Sequence, residues 1–208
     1  MEPWTTTLNA IREHSPCASG WAKLLKSLDK TKADDEPLLL SVILDSNGLD
    51  DTLWVLRAVT NHDREIRLFA VWCARQVQHL MTDRRSIDAL DVAEQFAKGE
   101  VTEEQLSDAR SAAESAAKSA WDAWDAWAAE SAAEFTTWAD LHGTRASEFA
   151  ARASVFAADS ADWFAAQSAA SAAASAARAA EAAWADARAT TRAAQKEELL
   201  RIISGGEY

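Results

Sequence analysis

Ala120-Trp121-Asp122-Ala123-Trp124-Asp125-Ala126-Trp127 sits inside a stretch, residues 101–201, built almost entirely from Ala, Ser, Trp and a few charges. Between Gly99 and Gly205 the only glycine is Gly143 and proline is absent, so nothing local stops a helix except the turn signal His142-Gly143-Thr144. The stretch therefore predicts two long helices joined at that turn. At about 100° per residue, Leu106, Ala113, Ala117, Ala120, Trp124, Trp127, Phe135 and Trp138 share one side of the first arm, and Asp122, Asp125 and Asp140 share the other. In the second arm Phe149, Phe156, Trp163, Ala170, Ala177 and Trp184 stand seven apart, and Ala166, Ala173, Ala180, Ala187 and Ala194 form a second heptad line. A sustained spacing of seven keeps one seam toward a partner helix, and alanine lets the two backbones approach closely. The aromatic stripe reads as core, and the two arms as an antiparallel hairpin. At about 1.5 Å per residue the second arm would run to roughly 85 Å unbroken, longer than the first. Either a break near Asp159-Ser160 or a tail folded back over the amino-terminal helices resolves the mismatch.

Working outward, residues 5–14 predict a short helix with Leu8 and Ile11 inward, stopped by Pro16. Ser19 can cap a second helix carrying Trp21, Leu24, Leu25 and Leu28. Pro37 suits the first turn of a third helix over 38–44, ended by Asp45-Ser46-Asn47-Gly48. Asp50 and Asp51 stand where a fourth begins, with Leu53, Trp54, Leu56 and Val59 as its apolar face. After a turn at Asn61-His62-Asp63, a fifth runs through Ile66, Phe69, Cys73, Val77 and Leu80. Residues 86–98 make the next, Gly99 ends it, and Thr102 with Gln105 forms a capping box for the long arm. No run alternates as a strand does. The expected fold class is all-α, with a bundle of short helices over 1–98 and a long Ala/Trp-rich antiparallel helical hairpin over 99–208 packed on it.

Charge narrows the partners. The net charge is −12; residues 1–98 carry 12 basic and 15 acidic groups, residues 99–208 carry 9 and 18. Such a surface repels phosphate backbones, which argues against direct nucleic-acid or anionic-membrane binding and suits a basic protein partner. Two cysteines, Cys17 and Cys73, make no disulfide framework in 208 residues and are expected as reduced thiols. Neither a signal peptide nor a membrane span is expected, which places the chain in the cytoplasm.

Chemistry is sparse. His14 and Cys17 have a His-x-x-Cys spacing that Cys73, His62 or His79 would have to complete for a metal site. Buried, inert thiols and ordinary histidines explain the same residues, so no metal and no cofactor is expected. Asp45, Asp50 and Asp51 form a carboxylate cluster, but a helix start accounts for the adjacent pair, whose side chains diverge by about 100°. No phosphate loop, nucleophile elbow or His-Glu-x-x-His pair occurs, and the chain is read as non-enzymatic.

His14-Ser15-Pro16-Cys17 with Gly20-Trp21, then residues 44–51 with Leu53-Trp54, then Arg67-Leu68-Phe69-Ala70 with Cys73-Ala74, and Ala97-Lys98-Gly99-Glu100 with Thr102 and Leu106 run in order into the Ala/Trp-rich tail. Together these segments resemble the immunity proteins of the immunity-protein-five-like group of bacteria and their phages. The resemblance covers most of the chain and is sharpest at Asp45-Ser46-Asn47-Gly48-Leu49-Asp50-Asp51. It implies an all-helical protein that neutralises a toxin.

The expected mechanism is stoichiometric binding, with acidic side chains around exposed aromatics covering a basic groove on the partner. Trp121, beside Asp122 and Asp125 and flanked by Glu130 and Glu134, is one candidate anchor, with a place at the core margin as its other reading. Asp45, Asp50 and Asp51 mark a second candidate surface. Two other classes stay open. A phage-type anti-defence inhibitor, anti-CRISPR-like or a DNA mimic, would occupy a host nucleic-acid-handling complex, although Lys118 interrupts the face of Asp122, Asp125 and Asp140. A structural or assembly protein would pair its helices with copies of itself, as a homodimer at least.

Overall fold

A computed structural model describes residues 2–76, 78–131 and 184–206. In chain order these form β1 (Thr5–Thr6), α1 (Leu8–Glu13), α2 (Ala18–Ser27), β2 (Leu38–Leu39), α3 (Leu40–Ser46), α4 (Leu49–Val55), α5 (Asp63–Arg75), α6 (Arg84–Lys98), α7 (Glu103–Ser131) and α8 (Trp184–Ile203). Short 3-10 turns follow α4 at Leu56–Ala58 and α5 at Gln78–Leu80. The described residues are thus mostly helical. The turn at His142-Gly143-Thr144, the break near Asp159 and the heptad lines as far as Ala180 lie outside them.

Local chemistry sets the helix ends. Thr7 caps α1 by accepting from the Ala10 amide, and Asp83 caps α6 by accepting from that of Arg85. Gly99 closes α6 at φ 77°, a left-handed position where a side chain would be strained. The predicted capping box is present: the Thr102 amide donates to Gln105 Oε1 (2.8 Å) and the Gln105 amide to Thr102 Oγ1 (3.3 Å).

Several sequence expectations are corrected. Leu38 and Leu39 are extended and pair antiparallel with Thr6 and Thr5, so α1 starts only at Leu8 and α3 only at Leu40. A two-residue strand is too short to show alternation, which is why the sequence hid it. Helix α2 is capped not by Ser19 but by Cys17, whose sulfur accepts from the Gly20 amide at 3.3 Å. Helix α5 stops at Arg75, before the predicted Leu80.

Two apolar clusters hold the helices together. The larger gathers Trp4, Leu40, Leu53, Phe69 and Leu90 with Leu106 and Ala113 of α7 and Leu199 and Ile202 of α8. The smaller, around Leu8, Ile11, Leu24, Ile43 and Val55, fixes α1 and α2 on α3 and α4. Helix α8 packs on α3, α4 and α5, so the end of the chain does fold back over the amino-terminal helices. Trp4 ties the two chain ends into this core. Its amide donates to the Ile203 carbonyl (2.8 Å), its carbonyl accepts from the Leu40 amide (3.0 Å), and its ring stacks on His62 at 4.0 Å.

Charge links α5 to α6. Arg75 of α5 donates to Asp91 (3.0 Å) and Glu94 (2.6 Å) of α6, and Lys98 adds a second cation to Glu94. Lys98 first and Arg75 second hold the Glu94 carboxyl below the usual glutamate range. No helix among the described residues is long and apolar enough to cross a membrane.

Candidate functional site

The corner where α2 meets the α3–α4 turn brings together the sharpest segment of the sequence and the first cysteine. Ser15 takes a left-handed φ of 56° ahead of Pro16, which turns the chain so that Cys17 can cap α2. Gly20 follows on the first turn, and its missing side chain lets α4 come close: a Cβ there would lie 3.0 Å from Asp51 Oδ2 and 3.1 Å from Cys17 Sγ. Asn47, at the end of α3, bridges the gap. Its side-chain amide donates to the Gly20 carbonyl (2.9 Å) and to Asp51 Oδ2 (2.8 Å), while its own carbonyl accepts from Lys23 Nζ (3.3 Å). Gly48, at φ 92°, then makes the tight reversal that opens α4 with Asp50 and Asp51 in its first turn.

The two adjacent carboxylates serve different neighbours, as their divergence around a helix requires. Asp50 pairs with Arg192 of α8, a contact spanning most of the chain, and Arg192 is itself braced by Gln195 at 3.1 Å. Asp51 turns to α2 and Asn47, and no cation pairs with it among the described residues. Asp45 is exposed one turn away, near the end of α3.

Between α2 and α4 lies a cleft of about 150 Å³, walled by Ile11, Trp21, Leu24, Ile43, Trp54 and Val55, with Asn47, Asp50 and Asp51 at its edge. Trp21 and Trp54 are half-buried, and the Arg57 guanidinium lies 3.9 Å from the Trp54 ring centre. An apolar recess rimmed by carboxylates can accept a group that is both apolar and positively charged.

Of the residues singled out from sequence, Asp50 and Asp51 line this cleft, and Asp45 stands exposed near the end of α3, outside that lining. Trp121, Asp122, Asp125 and Glu130 fall on the last part of α7, and Glu134 lies outside the described residues. His14 and Cys17 gain no completing ligand: no group of three or more His, Cys, Asp or Glu able to hold a metal occurs among the described residues. Cys73 lies fully buried in the core, and that burial pushes its thiol well above the usual cysteine range, against the pull of the Arg192 charge. His62 is taken up by Trp4.

Sequence reasoning missed Gly20, Asn47 and Arg192 at this site. Gly20 did carry a signal, since a glycine inside a helical pattern costs about 1 kcal/mol against alanine and so asks for a packing reason. Arg192 carried none, because its partner lies 142 residues away. No protein-family model, curated protein or solved structure matches the chain.

Proposed function

We propose that this protein is a non-catalytic binder that neutralises a basic protein partner by stoichiometric contact, as the resemblance to immunity proteins implies. The observation that carries the reading is the corner where Asp50 and Asp51 open α4, with Asp45 exposed near the end of α3. There, carboxylates border an apolar cleft with two tryptophans in its wall, and Asp51 has no cation of its own among the described residues. Opposite charge steers a basic partner to such a surface, and desolvated aromatic pockets supply most of the affinity of a typical interface. The net charge of −12 extends the same preference over the whole chain. Action in the cytoplasm of a bacterium, or of a phage-infected host, belongs to the same proposal.

The test is affinity capture from the native host with the wild-type chain and with an Asp45→Lys/Asp51→Asn variant of unchanged melting temperature. The reading expects one basic protein, a toxin by the resemblance, held at one-to-one stoichiometry by the wild type and lost by the variant. Capture of a nucleic-acid-handling complex, or association only with further copies of this chain, would replace it with an anti-defence or an assembly role.

A further inference from the structure

The geometry points to the cleft between α2 and α4 as a pocket for an organic cation, an amine or guanidinium carrying a short apolar body. Size limits the guest first. At about 150 Å³ the cleft matches cavities that admit a single benzene-sized group, and it falls short of the roughly 300–1,000 Å³ typical of sites for whole cofactors. The walls then demand an apolar body, since Trp21, Leu24, Ile43, Trp54 and Val55 offer no hydrogen bond from their side chains except through the two indoles.

Charge selects the head group. Asp50 is already paired with Arg192, whereas Asp51 spends one oxygen on the Asn47 amide and meets no cation among the described residues. An apolar guest filling the cleft would strip water from the Asp51 carboxylate and return nothing, and an alcohol would return only a hydrogen bond from an uncharged donor. An ammonium or guanidinium would replace that water with a charge-assisted hydrogen bond. An anion would meet Asp50 and Asp51 together. The pocket is also built before any guest arrives, because Asn47 and the close approach at Gly20 fix Asp51 in position.

Lysine and arginine side chains present this chemistry, and the inference rests on the proposed function only in taking a basic partner as their source. The pocket itself can be tested with small molecules on the full chain. Phenethylamine and n-butylguanidine are titrated in parallel with the neutral 2-phenylethanol and n-butanol, following the indole N–H resonances of Trp21 and Trp54, assigned through Trp21→Phe and Trp54→Phe. The expected result is saturable movement of both resonances, with each cation bound about ten-fold more tightly than its neutral counterpart, the worth of roughly one charge-assisted hydrogen bond. Asp51→Asn should erase that preference. Equal affinity for amine and alcohol, or no saturable movement at either indole, would overturn the pocket, and this comparison needs only the wild type. If the cations bind as expected while n-butylguanidine leaves partner capture undiminished, the pocket stands and a partner side chain as its occupant is overturned. If no cation binds while capture still depends on Asp45 and Asp51, the pocket falls and the binder remains.

Discussion

Replacing Trp4 by alanine should release both ends of the chain at once. The ring is 2% exposed and lies in the larger apolar cluster, stacked on His62 and joined through its backbone to Leu40 and Ile203. Truncating a buried tryptophan costs about 3–5 kcal/mol, combining lost transfer energy with the cavity left behind. In a chain of this size that lowers the melting temperature by roughly 6–20 °C. The backbone bonds of residue 4 do not need its side chain, so the loss should first appear as weaker anchoring of the helix end that they hold. Guanidinium unfolding followed by circular dichroism gives the total, and amide hydrogen exchange gives its distribution. Exchange should accelerate together at Leu40 and at residues 199–203, because those segments meet on Trp4. A loss below about 1 kcal/mol, or faster exchange at residue 40 with none at 199–203, would refute the claim that Trp4 joins the two ends.

Thiol labelling of the native chain should modify Cys17 alone, since it is exposed, and should reach Cys73 only after unfolding, since that thiol is buried and its ionisation suppressed; two equally fast thiols would contradict the placement of α5. Gly20→Ala should lower stability by about 1 kcal/mol on thermal unfolding, because crowding against Asp51 and Cys17 outweighs the gain in helix propensity; a stabilised variant would show that α2 and α4 are not so close. Glu94 has a depressed folded-state pKa, so its contribution is present above its unfolded pKa and disappears as pH falls through the lower folded value. Unfolding measured from pH 7 down to about 2 should therefore show a shallower acid limb for Glu94→Gln than for the wild type, and equal limbs would remove the Arg75–Glu94–Lys98 clamp.

The parts of the fold readable from sequence are those that local chemistry decides. Gly99, Thr102 with Gln105, and the inward faces at Leu8, Ile11, Leu106 and Ala113 all announce themselves through capping or spacing, and each stands where expected. What sequence could not show is decided by partners far along the chain. Trp4 looks like an ordinary terminal residue until Ile203 meets it, and Leu38–Leu39 look helical until Thr5–Thr6 lie alongside. The same division runs through the candidate site. Asp45, Asp50 and Asp51 could be read as one cluster, but their separate fates, with Asp50 paired to α8 and Asp51 held at the cleft, depend on Arg192 and Asn47. The cleft belongs to α2 and α4 jointly, and neither helix's pattern contains it.

If recognition works through negative charge at the α3–α4 corner, isothermal titration of the captured partner against the wild-type chain and against Asp45→Lys/Asp51→Asn, each at low and high salt, will show it. Binding should then be one-to-one, weaken as salt rises and be largely abolished in the variant, with both chains equally stable. Affinity that ignores both salt and the two substitutions would rule charge out as the means of recognition.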